Sequence, residues 1–284
     1  MQEGIIIKGI GGFYYIKTKS GEIIECKARG VFRKKKITPM VGDRVEIENG
    51  SITDIKERDN FMIRPPVANI DLLLIVVAAA SPDPNLFLID KLLVYAKSLG
   101  IDACICINKT DLKDNSELLR IYQKAGYKVI TVSAEQKKNI DELKELLAGR
   151  ITAFCGLSGV GKSSLLNLVS DIGMQTGLLS EKIMRGKHTT RHVELKELDG
   201  GGYVFDTPGF SSIELTDITD MEADNLADCF PEFPKDECRF KTCVHINEPD
   251  CRVKEKLELD EISASRYENY RQMYEILKNR KVWK

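Results

Sequence analysis

The sequence predicts a multidomain α/β protein: an N-terminal all-β barrel, a central domain with a mostly parallel sheet and helices on both faces, and a C-terminal mainly helical unit. Residues 1 to about 65 hold short runs of alternating apolar and polar residues. Residues 69–213 alternate apolar strand-like runs with helical patterns, and the remainder combines clustered cysteines with a long helical pattern. We expect domain boundaries at 1–66, 67–214 and 215–284.

Length and composition set the broad class. A chain of 284 residues suggests about two domains, or three small ones. A hydrophobic share of 43% and a charged share of 30% are typical of a soluble globular protein. The net charge of −1 argues against indiscriminate nucleic-acid binding but leaves room for a local basic patch.

The apolar runs predict neither a membrane span nor a secretion signal. The longest, Leu72–Ala80, is far shorter than the ~20 residues that cross a bilayer. The N-terminus has no basic segment leading into a long apolar one. Cys104, Cys106 and Cys155 lie in apolar runs typical of buried strands, which indicates free thiols. We expect a reducing, cytoplasmic location and no membrane partner.

The N-terminal segment predicts a small barrel. A first strand near Ile5–Ile10 precedes two hairpins, one turning at Ser20-Gly21 and the other at Asn49-Gly50. Five strands in such a short segment favour a closed barrel of the OB type, because closure removes exposed strand edges.

The connection between the two hairpins is strongly basic. Its charge run is either a solvated loop or, since OB-like barrels use such loops for single-stranded nucleic acid, a contact to RNA. The candidate RNA-binding residues are Arg29, Arg33, Lys34, Lys35 and Lys36.

The central segment alternates strands and helices. Such alternation favours a mostly parallel sheet covered by helices. The predicted pairs are Ile70–Ala80 with Leu86–Leu99, Ala103–Ile107 with Ser116–Ala125, Lys128–Val132 with Ile140–Leu147, and Ile151–Cys155 with Lys162–Val169.

A glycine-rich segment between the last of these strands and its helix matches G-x-x-x-x-G-K-[ST]. Its glycines let backbone N–H groups converge on phosphate oxygens; Lys162 would reach the β- and γ-phosphates, and Ser163 would coordinate Mg²⁺. The candidate nucleotide-binding residues here are Gly156, Leu157, Ser158, Gly159, Val160, Gly161, Lys162, Ser163 and Ser164.

Two motifs earlier in the chain predict a guanine reader. Asp111 can accept from both N1–H and the 2-amino group of guanine, and adenine offers neither donor on that edge. A Ser-Ala pair after another strand is similar to the motif whose backbone contacts the guanine oxygen. The candidate residues are Asn108, Lys109, Thr110, Asp111, Ser133 and Ala134.

Two further segments predict switch elements. Asp206-Thr-Pro-Gly209 fits D-x-x-G, in which the Asp holds Mg²⁺ through water and the Gly N–H senses the γ-phosphate. Between it and the phosphate loop, Thr189 or Thr190 is positioned to cap Mg²⁺ and the γ-phosphate. The sequence does not distinguish the two threonines.

The D-x-x-G motif lacks the glutamine that orients water in Ras-type enzymes, since Phe210 follows it directly. Either hydrolysis is slow in isolation or another group orients the water. We take His188 as the candidate catalytic residue, because a neutral imidazole can polarise water near pH 7.

The C-terminal segment carries three cysteines and a histidine with the spacing C-x₄-C-x-H-x₅-C. A Cys₃His set favours tetrahedral Zn²⁺ and leaves no open catalytic position, so we expect one structural zinc ion. The candidate ligands are Cys238, Cys243, His245 and Cys251; Cys229 is expected to be a core residue.

Taken in this order, with the guanine motif before the phosphate loop, these motifs resemble those of the circularly permuted GTPases known as ribosome small subunit-dependent GTPase A. The resemblance implies an OB-fold barrel, a permuted P-loop GTPase domain and a zinc domain that uses the four residues named above. It also implies binding to the small (30S) ribosomal subunit and its rRNA during late maturation, with GTP hydrolysis to GDP stimulated by the particle. A hydrophobic residue at Phe210 fits this family.

Two other functions compete with this one. A pure binding module would hold GTP without turnover, but Lys162, Ser163 and Asp206 supply the phosphate and Mg²⁺ machinery. An ATP-dependent enzyme would need a different base reader. We expect a monomer, since nothing in the sequence demands a dimer. Because the chain runs from D-x-x-G into the zinc segment, we also expect nucleotide state to change the zinc domain's orientation.

Overall fold

A computed structural model gives the structure of the chain, and it describes residues 2–63, 65–170, 193–206 and 221–280. The chain forms two compact units. The first comprises Met1–Leu73, Asn139–Cys155 and Gly161–Ser211, and the second comprises Leu74–Lys138, Gly156–Val160 and Ser212–Lys284. Among the described residues, no helix has both the length and the apolar character that a bilayer crossing requires.

The first unit begins with the predicted five-stranded barrel. Its elements are β1 (Gln2–Ile10), β2 (Phe13–Thr18), β3 (Ile23–Ala28), a short helix α1 (Gly30–Lys34), β4 (Arg44–Glu48) and β5 (Ser51–Ile55). Strand β1 pairs antiparallel with both β2 and β4, β4 pairs antiparallel with β5, and β5 pairs parallel with β3. This pairing closes the barrel around a core that includes Ile6, Ile16 and Ile52.

Local geometry explains the second hairpin of the barrel. Asn49 and Gly50 both take positive φ, 47° and 67°, as a type I′ turn requires. Asn and Gly are the residues that reach this region at least cost. The predicted turn is therefore confirmed at the predicted dipeptide.

A linker hairpin, which the sequence did not predict, follows the barrel in the same unit. Strands β6 (Phe61–Met62) and β7 (Val67–Ala68) pair antiparallel. Arg58 donates from Nε and Nη2 to the buried carboxylate of Asp43 at 2.7 and 2.8 Å. Gly42 has φ 96°, and a Cβ there would lie 2.0 Å from the carbonyl oxygen of Ala68, so only glycine fits. The linker is thus packed against the barrel.

The remaining strands of the first unit continue from the barrel. Strand β11 (Ile151–Cys155) pairs parallel with β13 (Tyr203–Asp206), and β13 pairs antiparallel with β12 (Glu194–Glu197). Strand β12 in turn pairs antiparallel with β1 of the barrel. Helices α4 (Ile140–Leu147) and α5 (Lys162–Val169) belong to the same unit. Strand β12 was not predicted, and its antiparallel pairing is an exception to the mostly parallel sheet.

The second unit contains strand β8 (Leu72–Ala78) from Leu74 onward, together with β9 (Asp102–Asn108) and β10 (Lys128–Thr131), in the order β10-β9-β8. Strands β9 and β10 are parallel, as predicted. Helices α2 (Leu86–Ser98) and α3 (Ser116–Lys124) connect them. Every side chain of β8 is buried, which explains its continuous apolar sequence.

The C-terminal part of the second unit is mainly helical. A 3₁₀ helix spans Ala223–Cys229, followed by α6 (Arg252–Glu258) and α7 (Ala264–Lys278). Tyr270 of α7 packs its ring against Phe230 and Phe233, with centroids 5.2 and 5.0 Å away. Cys229 is buried, as expected of a core residue.

A buried ion cluster attaches α7 to α2. Arg266 donates from Nη1 to Asp90 at 2.6 Å and from Nε to Glu232 at 2.7 Å. Asn269 donates to the second oxygen of Asp90 at 2.6 Å. The Arg266 guanidinium also lies 4.7 Å from the ring centroid of Phe230. The C-terminal part and α2 are therefore joined by buried charges.

Candidate nucleotide site and metal centre

The phosphate loop begins with a glycine that no other residue could replace without displacement. Gly156 has φ 130°, and a Cβ there would lie 2.0 Å from the carbonyl oxygen of Val76 in β8. Gly161, at the N-cap of α5, has φ 98°. Both glycines lie where the motif predicts them, at the end of β11 and at the start of α5.

Lys162 is the first residue of α5. Burial lowers the pKa of its ammonium, and the neighbouring Cys155 acts in the opposite direction. A bound polyphosphate would favour the charged ammonium, because an opposite charge in a partly buried site counteracts desolvation. Ser163 and Ser164 follow in the first turn of α5 and are exposed, so their hydroxyls are accessible to a ligand or its metal ion.

Asn108 connects three segments of the second unit. Its Nδ2 donates to the carbonyl oxygen of Val160 at 2.9 Å, and its Oδ1 accepts from the backbone N–H of Ala134 at 3.0 Å. Its side chain is buried. The side chain therefore fixes the guanine motif, the phosphate loop and the Ser-Ala segment to one another.

Asp111 and Ser133 form the second contact between the two guanine motifs. The Ser133 hydroxyl donates to Asp111 Oδ1 and accepts from the backbone N–H of Gln136 at 3.1 Å. Thr110 donates from Oγ1 to the carbonyl oxygen of Val132 at 3.0 Å. Asp111 itself is exposed, so its carboxylate is oriented by Ser133 and accessible to a base.

A loop at Ser81-Pro82, which was not predicted from the sequence, lies beside the phosphate loop. Lys109 has φ 61°, and its Nζ donates to the carbonyl oxygen of Ser81. A Cβ on Gly159 would lie 3.7 Å from Cδ of Pro82. The Ser81-Pro82 segment therefore positions Lys109.

The predicted switch residues are only partly described. Asp206 is the last residue of β13, at the place the D-x-x-G motif predicts. The other predicted residues lie outside the described part of the chain: His188, Thr189, Thr190, Gly209 and Phe210.

The basic residues of the barrel lie on the connection between β3 and β4. Arg33 and Lys34 end helix α1, Lys35 and Lys36 follow it, and all four are exposed. Phe32 is buried and anchors the helix to the barrel. Arg29 precedes the helix and lies 3.6 Å from Glu48.

The four predicted metal ligands converge. One ligand atom from each of Cys238, Cys243, His245 and Cys251 lies within 4.8 Å of the others. His245 Nδ1 is 3.6, 3.4 and 3.4 Å from the three sulfur atoms. Ligands on a tetrahedral Zn²⁺, with bonds of about 2.3 Å to sulfur and 2.0 Å to nitrogen, lie about 3.5 Å apart. The donor set and its spacing fit zinc.

Three residues that the sequence analysis did not identify hold this cluster. The Glu248 carboxylate accepts from the backbone N–H groups of Val244, Ile246 and Asn247 at 2.8, 3.0 and 3.0 Å. Tyr267 and Tyr270 of α7 donate to the carbonyl oxygens of His245 and Val244 at 2.7 and 2.6 Å. The ligand loop is therefore fixed both by its own glutamate and by the long helix.

Comparison with known proteins finds relatives along nearly the whole chain. Relatives named small ribosomal subunit biogenesis GTPase RsgA include one from Ruminiclostridium cellulolyticum, 49% identical over 98% of this chain and 95% of its own. Another, from Alkaliphilus metalliredigens, is 49% identical over 99% of this chain and 100% of its own. This chain is thus matched along nearly its whole length.

Solved structures match the fold as well. The crystal structure of YjeQ from Thermotoga maritima superposes with a TM-score of 0.85 at 37% identity, covering 99% of both chains. That of YloQ, described as a circularly permuted GTPase, superposes with a TM-score of 0.82 at 38% identity, covering 99% of this chain and 96% of YloQ. Models of the RsgA N-terminal domain and the RsgA GTPase match residues 3–54 and 55–216. With its barrel, permuted motif order and Cys₃His cluster, the chain belongs to the RsgA GTPase family.

Proposed function

We propose that this GTPase binds the small (30S) ribosomal subunit and hydrolyses GTP to GDP and phosphate during late maturation of that subunit. We further propose that the particle stimulates hydrolysis. The relatives' name supports the partner. The observation that carries the nucleotide function is the Asn108 side chain, which bonds to both the phosphate loop and the Ser-Ala segment.

On the guanine side, Asp111 accepts from N1–H and the 2-amino group of the base. Its exposed carboxylate, oriented by Ser133, supports this role. The backbone of Ala134 contacts the guanine oxygen, and Lys109 lines the site from the Ser81 side. A base without those donors leaves Asp111 unpaired, which is the source of selectivity.

On the phosphate side, the loop glycines and Lys162 bind the β- and γ-phosphates. Ser163 and Asp206 hold Mg²⁺, and Thr189 or Thr190 completes the γ-phosphate contacts together with Gly209. The exposed Ser163 hydroxyl and the partly buried side chain of Lys162 support this assignment. Bound Mg²⁺ neutralises charge on the β- and γ-phosphate oxygens. Water attacks the γ-phosphate, and His188 orients it.

The two flanking domains attach the protein to the ribosomal particle. We propose the boundaries 1–66, 67–214 and 215–284, one structural zinc ion in the C-terminal domain, and contact between rRNA and the basic residues around α1. Four exposed cations on one short connection favour RNA over an acidic protein surface, because phosphates recur along the strand. The protein acts as a cytoplasmic monomer.

One assay tests the proposal directly. Purified protein is mixed with GTP and Mg²⁺, with and without small subunits, and phosphate release is followed at single and multiple turnover. We expect a slow basal rate that rises with added particles. No stimulation and no nucleotide-dependent particle binding would refute the ribosomal function. GTP binding without single-turnover hydrolysis under either condition would instead identify a pure binding module.

A further inference from the structure

A junction joins the barrel to the hairpin β12–β13 within the first unit. Strand β1 pairs antiparallel with β12 in a register that places Lys8 opposite Glu194. Lys8 Nζ lies 3.2 Å from the Glu194 carboxylate. Lys17 of β2 pairs with Glu197 at the other end of β12, and its Nζ lies 5.8 Å from the ring centroid of Tyr203. Backbone pairing, two ion pairs and an aromatic contact therefore connect the two hairpins.

The hairpin connects the two segments that the proposed function assigns to nucleotide sensing. Strand β12 begins at Glu194, two residues after the basic segment 186–192, and β13 ends at Asp206 of D-x-x-G. The two strands are in register over four pairs, from Glu194 opposite Asp206 to Glu197 opposite Tyr203. A displacement at either switch segment therefore acts on one short, paired element.

Strand β1 occupies a central place in the barrel. Its first residues, Gln2–Ile5, pair with β4, while Lys8 pairs with β12. Its pairing with β2 shifts register between Ile6 and Lys8, where β1 passes from one partner to the other. A bulge of this kind bends a strand and redirects its edge. The same strand thus closes the barrel and carries the hairpin.

We propose that the junction between β1 and β12 couples the nucleotide state of the switch segments to the position of the barrel, and with it to RNA affinity. This inference rests on the proposed function. It places the coupling in the barrel, whereas the motif order had suggested the zinc domain. Coupling of this kind is reciprocal, so particle binding changes the ratio of GTP to GDP affinity by the same factor as nucleotide changes particle affinity.

Paired charge variants test the junction. Reversal of both lysines, Lys8→Glu with Lys17→Glu, places like charges against Glu194 and Glu197. The matched control adds Glu194→Lys and Glu197→Lys, which restores both pairs with opposite polarity. All four side chains are at least 19% exposed, so both variants are expected to fold. None of the four belongs to the proposed nucleotide or metal sites, so basal hydrolysis is expected to stay unchanged in both.

The first readout is amide hydrogen exchange in the free protein, which needs no ribosomal partner. In the unchanged protein we expect exchange in residues 2–10 and 194–197 to change together between GDP and a non-hydrolysable GTP analogue. In the double reversal only 194–197 should respond, and the four-residue swap should restore the response of 2–10. Nucleotide-insensitive exchange of 2–10 in the unchanged protein would overturn the inference.

The second readout is the ratio of particle affinities in the GTP-analogue and GDP states. We expect the ratio to fall toward one in the double reversal and to return in the swap. A ratio unchanged by the reversal would overturn the inference even if hydrolysis is stimulated normally. Absence of particle binding by the unchanged protein would refute the proposed function alone, because the exchange experiment still decides the coupling.

Discussion

Arg266 Nη1 lies 2.6 Å from Asp90 Oδ1, and both side chains are at most 1% exposed. Arg266 is in the C-terminal helix α7 and Asp90 is in α2, so the pair joins the part that carries the Cys₃His cluster to the part that carries the guanine motifs. A reorientation of α7 relative to α2 would leave two buried charges unpaired. Any nucleotide-dependent displacement of the part that carries the Cys₃His cluster must therefore carry α2 with it.

Replacing Arg266 tests how much this buried ion pair contributes to stability. Arg266→Met leaves Asp90 and Glu232 buried without their cation, which typically costs about 3–5 kcal/mol. We expect urea unfolding, followed by circular dichroism, to show that the free energy of unfolding falls by this amount. The triple variant with Asp90→Asn and Glu232→Gln should recover part of it, because no buried charge remains.

The matched control for the buried ion pair is Arg271→Met on the same helix. Arg271 pairs with Glu268 at 3.0 Å, but both side chains are about half exposed, so the loss should stay within about 0.5 kcal/mol. Equal losses at the two positions would show that the buried pair contributes no more than a surface one.

Asn108→Ala tests the connection between the guanine motif and the phosphate loop. The variant loses the bonds to Val160 and Ala134, together worth about 1–3 kcal/mol. We expect GDP and GTP affinities to fall alike, by about 5- to 150-fold in fluorescence titrations. Asn115→Ala is the control, since Asn115 makes no capping bond at the start of α3. A selective loss of GTP affinity would contradict the assignment.

Asp111→Asn tests base reading. The substitution replaces a carboxylate oxygen with an NH₂ donor, which opposes the N1–H and amino group of guanine. Xanthine carries an oxygen in place of the amino group, so it gains an acceptor for that donor. We expect GTP affinity to fall at least about tenfold and XTP to compete better than GTP. Asp114→Asn is the control, because the Asp114 side chain is exposed and accepts from the Ser116 hydroxyl at 2.6 Å; it should leave both affinities unchanged.

The local sequence pattern was sufficient to predict those elements whose own residues show helical or strand periodicity. Helix α4 and strand β11 have the predicted bounds, Ile140–Leu147 and Ile151–Cys155. The phosphate loop was predictable because its motif lies in one continuous segment; the structure adds that Gly156 approaches β8 so closely that a Cβ has no room. The spacing of the zinc ligands was likewise sufficient to predict the cluster.

The features that were not predicted depend on partners that are distant in the sequence. The residues of β12, Glu-Leu-Lys-Glu, have little β propensity, and the strand exists because β13 and β1 pair with it on either side. Lys8 and Glu194 are 186 positions apart, so no window of sequence contains both. The Arg266 cluster was not predicted for a similar reason: charged residues in a helical pattern are ordinarily solvent-exposed, and only their distant partners allow them to be buried.

Glu248→Gln tests how the zinc ligands are held. The carboxylate accepts three backbone N–H groups within the ligand loop, and a neutral amide keeps the shape while losing the charge-assisted bonds. Residues that orient metal ligands typically contribute about 10- to 100-fold in affinity. We expect one zinc per chain in the unchanged protein and a loss of that size in chelator competition for the variant. Glu258→Gln, exposed at the end of α6, is the control. Equal zinc affinities in the two variants would show that the spacing of the ligands alone determines binding.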